Sequence, residues 1–146
     1  MEDFDIIGAL KTKAESNGWK FVTAFDSYQR NYGATQEFQN GDIILTVLFS
    51  YSFDAGTAVA NDIQYPCTLI LGRKFDADGQ VSSMDETDQQ KYDRRIKELA
   101  VFLSSFIIQF KCENQLTIPA RVSMAPVTNQ FDTTLDGIQS NVTFEQ

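Results

Sequence analysis

A chain of 146 residues matches one ordinary globular domain, and its 42% hydrophobic and 12% aromatic content can fill a core, which excludes global disorder. Twenty acidic against twelve basic residues leave a net charge of −8, which opposes the phosphate neutralisation of nucleic-acid binding and opposes docking on anionic lipid. Histidine is absent, so no Ser/His/Asp or Cys/His catalytic arrangement and no His-ligated zinc site can form within the chain.

Residues 1–17 carry Phe4, Ile7, Leu10 and Ala14 at three- and four-residue spacing, with Glu2, Asp3 and Asp5 at the positive end of the dipole. A helix is expected there, with Gly18 as its C-terminal cap. From Trp19 the period becomes two, and Trp19, Phe21, Thr23 and Phe25 line one side of a strand. Residues 27–36 are polar and irregular. Asn40-Gly41 then has the φ > 0 preference of a type I′ turn, which predicts a hairpin whose first arm is residues 36–39.

Its second arm alternates Ile43, Leu45, Val47, Phe49, Tyr51 and Phe53 against Ile44, Thr46, Leu48, Ser50 and Ser52. At about 3.3 Å per residue, residues 42–53 would span roughly 40 Å, about twice the usual strand, so the distal part is expected to leave the body of the sheet. A loop at 54–64 precedes an antiparallel partner strand at 65–74, where Gly72 suggests a bulge. An acidic loop, 75–86, leads to Thr87 and Gln90 at capping-box spacing, and a long helix begins there. Tyr92, Ile96, Leu99, Leu103, Phe106 and Phe110 form its stripe, and from Val101 onward it is apolar nearly all round, which predicts burial on several sides. Residues 116–127, interrupted by Pro119 and Pro126, read as an edge or bent strand, and 138–144 as a final one. Repeats and low-complexity segments are absent. The expected architecture is a single α+β domain over 1–146: an antiparallel sheet of four to six strands with two helices packed on one face.

Cys67 and Cys112 are too distant for a CxxC motif and are expected to be reduced and mostly buried. The opening MEDFDIIGALK has acids where a secretory signal has bases, which predicts a reducing cytoplasm. Uninterrupted apolar runs such as 100–103 and 47–49 fall far short of the roughly 20 residues of a membrane span, so no membrane partner is expected.

Asp76-Ala77-Asp78-Gly79 resembles part of a calcium loop, but Lys74 and Asp85 would then occupy the first and twelfth positions, where oxygen donors and a bidentate Glu are required. The acids Asp85, Glu86, Asp88 and Asp93 could pair around Mg²⁺ or a glycosidic bond, yet acids at a helix start are favoured by the dipole alone. Gly72-Arg73-Lys74 lacks a phosphate-cradling glycine pattern and reads as a strand end reaching water. The expectation is therefore no enzyme, no metal and no cofactor. Strands apolar on both sides and the apolar end of the long helix offer more surface than a two-layer domain covers, which points to partner chains; a well-filled monomeric core is the competing explanation.

The element order α-β-β-β-α-β, together with Met124-Ala125-Pro126-Val127-Thr128-Asn129-Gln130-Phe131-Asp132 and the Asp136-Gly137-Ile138 opening of the last strand, is similar to the tail-terminator and tail-completion proteins of tailed bacteriophages. The Asn- and Gln-rich composition resembles virion proteins of phages of gut bacteria, including crAss-like phages. That resemblance implies a virion protein assembled in the host cytoplasm: a homo-oligomeric ring at the head-tail neck or tail end, joining portal, connector or tail proteins, with DNA only as passing cargo. A negative lumen would not hold that DNA. Tyr51, Phe53, Asp54 and the loop up to Ile63 are the expected ring interface. Two alternatives are a monomeric module that binds protein through an exposed strand edge, and a metal-dependent hydrolase using the acids between Asp76 and Asp93.

Overall fold

The computed structural model describes residues 4–23, 41–50, 52–54, 56, 61–74, 96–127 and 135–146. The first helix, α1 (Ile6–Ser16), starts at Asp5, whose carboxylate accepts a hydrogen bond from the Gly8 N–H at 2.9 Å. It ends where Gly18 turns left-handed at φ 78°, with its N–H donating to the Glu15 carbonyl and the Trp19 N–H donating to that of Ala14. This reversal drops Trp19 into the core at the head of β1 (Lys20–Thr23).

The second helix, α2 (Lys97–Glu113), closes with the same pair of bonds: Gln115 N–H to the Cys112 carbonyl and Leu116 N–H to that of Lys111. Here the left-handed residue is Gln115, φ 54°, which has a side chain and so bears the steric cost that Gly18 avoids. Buried Leu116 plays the part of Trp19. The capping box expected at Thr87 and Gln90 lies outside the described residues.

The remaining strands are β2 (Ile43–Phe49), β3 (Ser52–Asp54), β4 (Asn61–Lys74), β5 (Met124–Val127) and β6 (Leu135–Glu145). They form a sheet in the order β1-β2-β4-β6-β5, with β3 pairing β4 beyond the end of β2. Both helices bury their apolar stripes on one face of it, so the fold is α+β as the sequence predicts.

The sheet is mixed, not wholly antiparallel. β1 runs parallel to β2 in the register Lys20↔Ile44 to Thr23↔Val47. A parallel pair needs a return connection of about a dozen residues or more, and residues 24–42 provide it. The hairpin arm expected at 36–39 lies outside the described residues; β2 has β1 on one edge and β4 on the other.

The long strand expected over 42–53 is interrupted: β2 ends at Phe49 and β3 begins at Ser52. Pro66 lies at the break: its carbonyl accepts from the Ser50 N–H at 3.0 Å, but it has no N–H to return the bond, so the β2 ladder ends at Phe49↔Cys67. Beyond it, the β3–β4 register shifts between Ser52↔Gln64 and Asp54↔Asn61. β4 therefore extends further than 65–74 and is the strand on which the sheet is assembled.

Gly72 is not a bulge. It pairs in regular register with Ile44 on one side and with Gly137 on the other. A Cβ built on Gly137 would overlap the Leu71 carbonyl oxygen and approach the Gly72 Cα to 2.6 Å, so the two strands meet here at a separation only glycine permits.

Phe106, Phe110, Leu99 and Leu103 of α2 and Ile6, Leu10 and Ala14 of α1 pack on Leu45, Val47, Leu69, Leu71, Ile138, Val142 and Phe144. Each such side chain contributes about 1.5–3 kcal/mol on burial. Two ion pairs brace the layer, Lys13–Glu113 at 2.8 Å between the helices and Arg73–Glu98 at 3.3 Å from β4 to α2. Both acids are largely exposed, so each pair contributes under about 1 kcal/mol.

Two substitutions should move stability in opposite directions. Gly137→Ala forces β4 and β6 apart and should lose about 2 kcal/mol, whereas Gln115→Gly relieves the left-handed residue and should gain about 0.5 kcal/mol. Urea unfolding midpoints at constant slope measure both.

Candidate functional site

The acidic candidates Asp76, Asp78, Asp85, Glu86, Asp88 and Asp93 lie outside the described residues, as does Tyr51. Among the described residues no group of three or more Cys, Asp and Glu side chains gathers in a way that could hold a metal ion. Of the expected interface, Phe53 and Asp54 lie on β3, Asp54 opposite Asn61 of β4. Ile63, on β4, is half-buried against the core. Arg73, expected to reach water at a strand end, is held by Glu98.

The aromatic and aliphatic alternation of β2 resolves into two different faces. Ile43, Leu45, Val47 and Phe49 meet the helices. On the other face Val22, Ile44, Thr46 and Ile70 are all buried within the single chain, so these two-sided strands do not by themselves demand a partner. Thr46 is unusual there: fully buried, its Oγ1 makes no hydrogen bond. Further along, the same face opens to solvent around Leu48, Thr68 and Asn141, where the Thr68 hydroxyl donates to the Asn141 side-chain carbonyl at 2.7 Å. A shallow depression there is lined by Leu48, Pro66, Thr68, Asn141 and Thr143.

The exposed large hydrophobics among the described residues are Leu48, Val101, Ile108 and Met124, and three of them gather on one side of the molecule. Val101 and Ile108, 59% and 56% exposed, are seven residues apart on α2 and so share its outward face two turns apart. The expectation that this half of the helix is buried on several sides fails at these two positions. Ile108 and Met124 border a groove of about 360 Å³ between α2 and residues 118–124, floored by Ile107, Ile118 and Val122. Lys111 stands at its rim and is its one charged lining residue.

The electrostatics of this side run against the chain as a whole. Glu98 and Glu113 of α2 are engaged by Arg73 and Lys13, while Lys97, Lys111 and Arg121 have no ion-pair partner among the described residues. Among the described residues a local excess of cation therefore borders the apolar surface of a chain with net charge −8. A second cleft, of about 410 Å³, is lined by Trp19, Phe102 and Phe106 together with Asn17, Asp42, Ser105 and Gln109.

The two cysteines differ. Cys67, on the helix-covered face of β4, is buried, and that burial pushes its thiol from 9.0 up to about 12. Cys112 is exposed, contrary to the sequence expectation: Phe110 faces the core, and two residues further round α2 the helix faces water.

Comparison with protein-family models and with curated proteins finds no match for this chain in either. No helix among the described residues is long and apolar enough to cross a membrane.

Two measurements follow from these environments. A thiol reagent at neutral pH should label Cys112 rapidly and Cys67 only on unfolding, read as one modification by intact mass. Because Cys67 holds its proton more tightly folded than unfolded, its share of stability is complete below pH 9.0 and declines as pH rises toward 12. Separately, Thr46→Val removes a buried hydroxyl without a partner and should raise stability by about 1 kcal/mol, a Tm gain of roughly 3 °C.

Proposed function

We propose that this chain is a structural subunit that assembles with copies of itself into a ring at the head-tail neck or tail end of a tailed bacteriophage, with no catalytic step of its own. The observation that carries the self-assembly is the groove bordered by exposed Ile108 and Met124, with exposed Val101 two turns before Ile108 on the same face of α2. Single exposed hydrophobics are ordinary, but a contiguous apolar surface edged by polar groups is the mark of a contact site. The described elements, α1, β1 to β4, α2, β5 and β6, share with the α-β-β-β-α-β order of the tail-terminator resemblance its leading helix and a second helix after the central strands, with one strand more on either side of α2.

In this role the protein belongs to the virion, adjoins portal, connector or tail subunits, and meets DNA only in transit. The net charge of −8 suits a conduit that must not retain a polyanion. The competing reading, a monomeric module that captures protein on a free strand edge, draws less support from the edge strand β5, because Pro126 there lacks an N–H to offer.

Native mass spectrometry of the purified chain over a range of concentrations, with negative-stain electron microscopy, tests the proposal. A single closed oligomer with a central opening is expected. A monomer at every concentration would favour the binding module.

A further inference from the structure

We infer that the ring contact is head-to-tail, with the α2 side of one subunit seated on the solvent-open half of the opposite sheet face of the next; this rests on the self-assembly proposed above and names the surfaces that perform it. A ring cannot be built from one patch meeting itself, which closes as a dimer. It needs two different patches on opposite sides of the subunit. The chain has such a pair: the Val101–Ile108–Met124 surface lies outside the helix layer, and the fourth exposed hydrophobic, Leu48, lies on the sheet face that neither helix covers.

The two patches are complementary in charge. Among the described residues the α2 side is cationic, with Lys111 lining the groove, Arg121 between its lining residues Ala120 and Val122, and Lys97 one turn before Val101, while Glu113 and Glu98 are engaged by Lys13 and Arg73. The open half of the sheet face presents Leu48, Pro66, Thr68, Asn141 and Thr143, all uncharged, and the carboxylate of Glu145, which strand alternation places on that face because Phe144 points into the core. Apolar side chains meeting across the centre, with Lys111 of one copy beside Glu145 of the next, form a contact with an apolar centre and a charged rim. Each subunit uses each surface once, so the contact repeats around the ring.

The test is a charge exchange in the full chain. Lys111→Glu and Glu145→Lys should each weaken assembly by about tenfold or more, because like charges then face each other, and the two together should restore it. Val101→Ser with Ile108→Ser should give a monomer with an unchanged circular dichroism spectrum, since both side chains are exposed in the lone chain. Leu48→Ser should weaken the same oligomer. If the parent forms a ring that is indifferent to these substitutions, or if the exchange does not restore assembly, the head-to-tail contact is overturned while the ring stands. If the parent is a monomer throughout, both are overturned.

Discussion

The structure depends on one run of aromatic contacts. Trp19, at the junction of α1 and β1, lies 5.3 Å from Phe106; Phe106 stacks on Phe110 at 6.0 Å; Phe110 meets Phe144 of β6 edge-on at 5.1 Å. Two of these rings are successive turns of α2, and the other two come from opposite ends of the chain. The run therefore fixes how α2 lies across the sheet and ties the N-terminal third to the last strand. Each pair adds about 0.5–1.5 kcal/mol beyond its buried area, but its larger effect is geometric. With Phe106 and Phe110 inward, Val101, Ser105 and Ile108 have only the outward face of α2 left to occupy.

The sheet beneath that helix is set by backbone chemistry on β4 more than by side-chain pattern. Pro66 withholds one N–H and stops β2; the Gly72–Gly137 pair lets β6 approach closely for the whole run from Gln64↔Glu145 to Lys74↔Leu135. The same run brings Thr143 and Glu145 beside Pro66 and Gln64, on the half of the face that stays open. Where β4 and β6 lie closest, at the other end of the strands, the face is buried around Ile44 and Ile70.

The α+β class, both helices and most of the strands were legible because their periods are strong and their lengths ordinary. Period alone could not show that β1 joins β2 in parallel, since alternation is the same in either direction and only connection length decides. Nor could it find the break after Phe49: Pro66, the residue responsible, sits in the partner strand and becomes adjacent only on folding. Gly72 stands out within its strand, but its reason, Gly137, is distant in sequence. The exposed apolar surface of α2 is the least legible feature. Tyr51 and Phe53 drew attention as the end of an apolar run, while Val101 and Ile108 merged with the core positions around them. The sequence records how apolar a helix is all round; which of its faces the sheet takes is decided by packing, here by Phe106 and Phe110.

That choice also explains the local charge. A helix with Lys97, Glu98, Lys111 and Glu113 at its ends is neutral in composition, and in isolation it would present mixed signs on every side. Folding removes that neutrality: Lys13 comes from α1 to meet Glu113, and Arg73 from the end of β4 to meet Glu98. Each pair contributes little to stability because its acid is exposed, yet together they decide which charges remain available beside the apolar surface. The acids are spent on holding α2 to its neighbours and the lysines are left over. A chain of net charge −8 thereby has one side on which, among the described residues, cations outnumber the acids left unpaired, and that asymmetry exists only in the folded state.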